Sequence, residues 1–310
     1  MIEIKSKKNK FTYNVYHVTK AFFPEEEIVQ TVDEEQEPLV WMQLPGGACF
    51  SLAERSLTMA DRKMTPEDEQ TEKTREVYRF LSKKCDRELA WGMLTGVRPT
   101  KLVMQKLEAG LDQVQIRKFL EEEYCVTKEK AELAYEIACR EKEQLGKLNA
   151  GEGFSLYVGI PFCPSICSYC SFSSSPVGEW KDKIDAYLDA LIKELKALGR
   201  MAGERKPDTV YVGGGTPTTL EAGQLDRLLG TIRNCFDLSE LKEFTVEAGR
   251  PDSIKREKLE VIRRYPVTRI SVNPQTMQQK TLDLVRRKHT VEDVEHIFHM
   301  ARELGFDNIN

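Results

Sequence analysis

No stretch of about 18 consecutive apolar residues occurs in the chain, so no membrane-spanning segment is expected. The amino-terminus, MIEIKSKKNKFTYNVYHV, lacks the apolar stretch and the small-residue cleavage site of a signal peptide. Both absences point to the cytoplasm. The charge is weakly one-sided: a net charge of −4 gives no whole-chain reason to expect nucleic-acid binding. There is no internal repeat and no low-complexity segment. No Gly-Lys-Ser/Thr follows a glycine-rich turn and no G-x-G-x-x-G spacing occurs, which excludes the common phosphate and dinucleotide loops. No His-x3–5-His pair follows cysteines at zinc-finger spacing.

What is present fits a folded protein of two domains. At about 100–200 residues per domain, 310 residues make two. Hydrophobic residues at 40% and charged residues at 31% suit soluble globular cores. The first domain, 1–150, reads as α+β. FTYNVYHV and PLVWMQL are β-branched and aromatic and read as strands, with the acidic, turn-like PEEEIVQTVDEEQE between them. PEDEQTEKTREVYRFLSKKC places Val77, Phe80 and Leu81 at helical spacing. The loop WGMLTGVRPTK leads into KLVMQKLEAG, which Gly110 caps, and two more helical patterns follow at about 112–123 and 127–146. The polar, glycine-containing KLNAGEGF (147–154) marks the boundary.

The second domain, 151–310, has a different rhythm. SLYVGI, TVYVG, EFTVEAG and VTRISVN read as strands, each followed by a helical stretch, and FDNIN begins a fifth strand. Strands alternating with helices of this length make a parallel sheet of βα units. The fifth strand has no helix to cover it, although parallel strands need cover on both faces. The expected fold class is therefore α/β: a partial (β/α) barrel truncated after about five strands, preceded by an α+β domain.

Eight cysteines occur, at 49, 85, 125, 139, 163, 167, 170 and 235. Cytosolic cysteines that cluster more often bind metal or react than form disulfides. Only Cys163, Cys167 and Cys170 cluster, with C-x3-C-x2-C spacing directly after the first strand of the second domain; the others read as small buried hydrophobes or surface thiols. Ligands in α/β folds sit at the carboxyl ends of strands. Three thiolates on one tight loop suit three irons of a cubane and leave one iron open. Zinc is the alternative, but structural zinc takes four ligands and the fourth would have to come from distant His289 or His296. YVGGGTPT ends the second strand, where glycines let the backbone approach a small polar ligand. Glu247 ends the third strand, a carboxylate placed to pair with an ammonium group. The fourth carries Arg269, Ser271, Asn273 and Gln275, and the run Arg286, Arg287, Lys288, His289 follows. That run reads equally as part of a site or as a solvated helix end.

These residues carry a resemblance. Tyr157-Val-Gly-Ile-Pro-Phe-Cys163, the cysteine triplet, Gly213-Gly-Gly-Thr-Pro-Thr218, Glu247-Ala-Gly-Arg-Pro251 and Arg269-Ile-Ser-Val-Asn-Pro-Gln275 occur in the order seen in the radical S-adenosylmethionine superfamily. Within it the sequence resembles the oxygen-independent coproporphyrinogen III oxidase group. Through WGMLTGVRPTK, residues 1–150 resemble the amino-terminal region of the HemZ-type coproporphyrinogen dehydrogenases. The resemblance implies a [4Fe–4S] cluster on Cys163, Cys167 and Cys170, with S-adenosylmethionine chelating the open iron. Tyr157, Gly214 and Glu247 would contact that cofactor and Tyr169 would flank its adenine. Gly215, Thr216, Gln275 and Arg287 match positions that hold a second cofactor molecule. These are cofactor and cluster contacts, and the resemblance names no catalytic residue. The activity implied is oxidative decarboxylation of coproporphyrinogen III propionates to vinyl groups, with an electron donor such as flavodoxin or ferredoxin as partner. The chain departs from that pattern at Gly159 (usually His), at Phe172 (a fourth cysteine) and at Asn273-Pro274 (usually Gly-x). Heme-chaperone relatives share these departures, so a heme-binding chaperone on the same core stands as the alternative.

Overall fold

A computed structural model describes residues 1–53, 66–96, 98–149 and 152–310. Val97, in the WGMLTGVRPTK loop, and Ala150 and Gly151, in the expected boundary segment, lie outside the described residues. The chain divides into two compact units, Met1–Leu145 and Gly146–Asn310. Among the described residues no helix is long and apolar enough to cross a membrane.

The first unit begins with strand β1 (Ile2–Ser6), helix α1 (Thr12–Phe22) and strand β2 (Ile28–Val32), with β2 parallel to β1. β3 (Val40–Gln43) and β4 (Cys49–Leu52) add antiparallel partners, giving the order β2-β1-β3-β4. Two strand expectations need correction. FTYNVYHV is mostly helix α1, because Phe11, Val15, Val18 and Phe22 are buried at spacings of four and three. Strand alternation would have buried Tyr13, which is 66% exposed. Here the apolar period outweighs the β-propensity of single residues. The acidic stretch contains β2, an edge strand whose Val29 and Val32 stay exposed, so its sequence does not alternate.

Helix α2 (Pro66–Cys85) buries Val77, Tyr78 and Leu81 against this sheet. Helices α3 (Thr100–Glu108), α4 (Gln113–Tyr124) and α5 (Lys128–Leu145) share a separate core around Val103, Ile116, Leu120 and Ala134. α3 stops at Gly110, whose φ of +84° ends the helix without a side-chain penalty. α4 starts on a reciprocal capping box between Asp112 and Gln115.

The second unit is α/β, as the alternating rhythm implies. Its elements are β5 (Phe154–Ile160), the short strands β6 (Phe162–Cys163) and β7 (Ser175–Pro176), α6 (Val177–Trp180), α7 (Ile184–Ala202), β8 (Pro207–Gly214), α8 (Ala222–Cys235), β9 (Glu243–Glu247), α9 (Arg256–Arg263), β10 (Arg269–Ser271), α10 (Gln279–Leu284) and α11 (Val291–Glu303). β5, β8, β9 and β10 lie side by side in chain order, all parallel. Ile309 extends the sheet by one parallel bridge to Ile270. The result is a barrel wall that does not close. One face of each strand packs into the helix-backed core: Leu156, Val158 and Ile160, then Val210 and Val212, Phe244 and Val246, and Ile270. Every strand points its carboxyl end the same way, and the site gathers there.

Candidate functional site

The cysteine loop leaves β5 at Ile160 and is closed by backbone pairing. β6 and β7 join its two ends through Phe162 with Ser175 and Cys163 with Pro176. The Gly215 N–H donates to the Ile160 carbonyl at 2.8 Å, and the Thr216 N–H to that of Phe162 at 2.8 Å. This is where the glycines are needed. Gly214 has a φ of +108°, and a Cβ there would lie 2.8 Å from the Ile160 nitrogen. A Cβ on Gly215 would lie 2.7 Å from the Phe162 carbonyl oxygen and 3.0 Å from the Cys163 sulfur. The glycine turn therefore lies against the cysteine loop, closer than any side chain would allow.

Each of the three sulfurs accepts one hydrogen bond. Thr216 Oγ1 donates to Cys163 Sγ at 3.5 Å, Arg250 Nη1 to Cys167 Sγ at 3.6 Å, and the Phe172 N–H to Cys170 Sγ at 3.4 Å. Cys163 is buried, and Cys167 and Cys170 are half-buried. Arg250 is 3% exposed and held by Asp252 through a two-pronged ion pair, with Nε to Oδ1 at 2.9 Å and Nη2 to Oδ2 at 2.8 Å. It also donates to the Ser165 carbonyl at 3.0 Å and to Ser165 Oγ at 3.1 Å, fastening the cysteine loop to the segment after β9. Burial opposes its charge, but Asp252 and the thiols of Cys167 and Cys163 offset this and hold its pKa above the ordinary arginine value.

A cavity of about 380 Å³ lies over the loop. The three cysteines, Tyr169, Gly214, Gly215, Thr216, Glu247, Gln275 and Arg287 all line it. Ten of the eleven site residues expected from the sequence thus meet in one place. The eleventh, Tyr157, is 62% exposed and lines an adjoining cavity of about 360 Å³ with Phe172 and Tyr187, which shares Gly214 and Gly215 with the first. Glu247 is held by Tyr211, whose hydroxyl donates to it at 2.5 Å, and the Tyr157 ring stacks on Tyr211 with centroids 5.8 Å apart. Burial, and then the bond to Glu247, pushes the Tyr211 phenol well above the usual tyrosine range. Partial burial and then the Glu247 charge raise Tyr157 in the same direction. Burial also raises Tyr169, against the pull of Arg287.

The basic run divides. Arg287 is buried, and its Nη1 donates to the Gly249 carbonyl at 3.3 Å and to that of Asn273 at 3.2 Å. His289 is fully buried, and burial followed by the Arg287 charge lowers its pKa. Arg286 and Lys288 are exposed. Gln275 sits at a φ of +64° on the cavity wall, an uncommon conformation for a residue with a side chain. Sequence reasoning assigned no role to Arg250, Asn273 or Tyr211. The signal for Arg250 was a charged residue three positions past the strand-ending Glu247, whereas nothing local marks Tyr211, whose register opposite Tyr157 is set by the sheet.

Whether these residues fit an iron–sulfur cluster is tested by their cradle. Among the described residues no three His, Cys, Asp or Glu side chains converge as ligands of one metal ion. A cluster instead spreads its thiolates over separate irons and is tuned by hydrogen bonds to the sulfurs. Three thiols on one closed loop, each with a donor and with a cavity of cofactor size above them, fit that arrangement.

Residues 157–310 match the Radical SAM superfamily. A Bacillus subtilis protein described as "Oxygen-independent coproporphyrinogen-III oxidase-like protein HemZ" is 39% identical over 224 residues, covering 71% of this chain and 45% of that protein. The Bacillus subtilis "Heme chaperone HemW" is 39% identical over 159 residues, covering 50% of this chain and 41% of that one. Among solved structures, coproporphyrinogen III oxidase (HemN) from Escherichia coli, described as a radical SAM enzyme, aligns with a TM-score of 0.47 at 29% identity, covering 55% of this chain and 39% of that chain. The chain spans less than half the length of these relatives.

Proposed function

Residues 157–310 are a radical SAM domain, and from that premise we propose that the chain serves the oxygen-independent oxidative decarboxylation of coproporphyrinogen III, turning propionate side chains into vinyl groups in the cytoplasm. The observation that carries this reading is the meeting of the three thiols with Glu247, Gln275, Arg287 and the glycine turn in one cavity. The HemZ match adds to it: 224 residues reach beyond Gly146–Asn310 into the first unit, whereas the HemW match would fit within the second.

In this reading Cys163, Cys167 and Cys170 hold a [4Fe–4S] cluster, and S-adenosylmethionine lies beside Tyr157, Gly214 and Glu247. When bound, the pair supplies a one-electron cleavage whose carbon radical removes hydrogen from an unreactive position. The protein's own residues do the rest. Glu247, oriented by the Tyr211 hydroxyl, offers a carboxylate to the cofactor's ammonium group. Tyr169 flanks the adenine. Gly215, Thr216, Gln275 and Arg287 form a second cofactor position, with Arg287 supplying buried positive charge for a carboxylate. Tyr157 and Phe172 present exposed aromatic faces on the adjoining cavity, apolar surface against which single pyrrole rings of the substrate can pack. The partners in this scheme are the porphyrinogen and a one-electron donor.

The test is anaerobic reconstitution with iron, sulfide, reductant, S-adenosylmethionine and coproporphyrinogen III. Protoporphyrinogen is the expected product, and cofactor cleavage without any decarboxylated product would sink the reading. One observation favours a second reading. Phe172, 71% exposed, stands where the oxidase pattern has a further cysteine, and the HemW relative is named a heme chaperone. A saturable Soret shift on heme titration, followed by transfer to an acceptor protein, is what that alternative requires.

A further inference from the structure

The exposed half of the basic run has no role in the cavity, yet it lies directly beside the cysteine loop. The Ser168 N–H, between Cys167 and Cys170, donates to the Val285 carbonyl at 3.2 Å. Around this bond Leu284 is 78% exposed and Ile166 is 36% exposed. The loop itself carries no charged residue between Pro161 and Pro176, whereas Lys280–Lys288 holds four cations and one carboxylate, in a chain whose net charge is −4. The positive charge is therefore local. Among the described residues, Arg286 and Lys288 make no side-chain hydrogen bond or ion pair that would neutralise it.

Arg286 adds an independent observation. Helix α10 ends in a backbone lock in which the Arg287 N–H donates to the Leu282 carbonyl at 2.9 Å. The lock places Arg286 at a φ of +61°, the left-handed region. Glycine occupies that position freely, and a long side chain does so only under strain. Strain kept at an exposed position beside a site is a reason to look for a use of the side chain.

We propose that Ile166, Leu284, Arg286 and Lys288 form the docking surface for a small acidic one-electron carrier protein that reduces the cluster held by Cys163, Cys167 and Cys170; this rests on reading the second unit as a cluster-bearing radical SAM domain. The apolar pair provides the contact and the two cations meet the carrier's acidic face, a combination that speeds encounter more than it strengthens binding. One electron passes from the reduced carrier to the oxidised cluster. The carrier is oxidised by one electron and the cluster reduced by one; no bond forms or breaks and no proton moves.

The experiment compares the wild-type chain with Arg286→Gly and with Arg286→Gly/Lys288→Gln, each reconstituted anaerobically. Cluster reduction is followed by visible absorbance in stopped flow, with photoreduced flavodoxin as the protein donor and dithionite as the small one. The double variant is expected to lose about tenfold in its second-order rate with flavodoxin at low salt, together with most of the salt dependence that steering produces. Its dithionite rate should match the wild type, and Arg286→Gly should melt at or above the wild-type temperature because the strain is relieved. Equal flavodoxin rates and equal salt slopes in cluster-loaded wild type and double variant would overturn the proposal and leave the run a solvated helix end. Failure of wild type to take up any cluster would be a separate result: it would remove the radical SAM reading and this surface with it.

Discussion

The two faces of the parallel sheet in the second unit are built from different chemistry. The face toward the helices is aliphatic and aromatic on all four strands, from Val158 and Ile160 through Val212 and Phe244 to Ile270, all 2% exposed or less. The opposite face is polar, aromatic or glycine in every register row. Ser155, Thr209 and Glu243 form one row; Tyr157, Tyr211, Thr245 and Arg269 form the next. Gly159 and Gly213 pair in the row beyond, where Glu247 pairs with Ser271. Its groups bond to one another, Thr209 Oγ1 to Ser155 Oγ at 2.8 Å and Thr245 Oγ1 to Glu243 at 2.7 Å. A closed eight-stranded barrel fills its interior with branched aliphatic layers. Here that face carries hydroxyl, carboxylate and guanidinium groups instead, and the apolar packing lies on the other one.

The comparison makes a sharp demand: substitutions on the helix-facing side should cost stability and spare the site, and those on the cavity side should do the reverse. The largest effect belongs to the thiols. Cys163→Ala, Cys167→Ala or Cys170→Ala should each abolish the visible absorbance of the reconstituted cluster, because removing one of three ligands leaves an iron without protein support. Cys235→Ala, at the end of α8 and away from the loop, should retain it. Loss of absorbance in Cys235→Ala, or its survival in any of the three, would break the assignment. Gly215→Ala should come next. Its Cβ would press on the Phe162 carbonyl and the Cys163 sulfur, so most of the bound iron should be lost while the thermal melt shifts little.

The comparison sharpens at one pair of adjacent strands. Phe244 is fully buried on the helix-facing side of β9, and Phe244→Ala should cost about 3–5 kcal/mol in chemical denaturation. Below its lowered melting temperature this variant should still bind cluster at wild-type stoichiometry. Tyr211→Phe removes only the hydroxyl on Glu247 and should cost about 1 kcal/mol or less. Its effect should fall on S-adenosylmethionine affinity, measured by equilibrium binding to the reconstituted protein, because Glu247 loses the group that orients it. A Tyr211→Phe variant with wild-type affinity would show that the hydroxyl only fills space.

Much of this was readable in the sequence, for identifiable reasons. In the second unit, strands that alternate with long helices leave few arrangements, and strand ends carrying Cys163, Gly214, Glu247 and Gln275 converge because parallel strands all point one way. The first unit was harder. FTYNVYHV is rich in residues that favour strands, and only the spacing of Phe11, Val15, Val18 and Phe22 marks it as α1. Pairing across the sheet is a tertiary fact that local sequence does not carry, so β2 and the Tyr211–Glu247 bond stayed hidden. Arg250 was missed because a charge after a strand usually faces water; here Asp252 and Ser165 take up its donors and let it be buried. The run from Arg286 to His289 could not be divided into inward and outward residues until the end of α10 was known.

The smallest effect is in alkaline stability, and its sign follows from the cavity face. Tyr211 keeps its proton more tightly in the folded chain than in the unfolded one, because burial and the bond to Glu247 both disfavour the phenolate. Between the unfolded value of about 10 and the higher folded value, the native state binds more protons than the unfolded state, so stability falls as pH rises. The contribution is complete below about pH 10 and is lost as pH climbs through the folded value. Denaturation midpoints compared at about pH 9 and pH 11 should therefore fall further for wild type than for Tyr211→Phe, which has no proton to lose there. Phe244→Ala should start from a lower midpoint but keep the wild-type alkaline slope, since it leaves the Tyr211–Glu247 pair in place. If the slope changed with Phe244 and not with Tyr211, the division of labour between the two faces would be wrong.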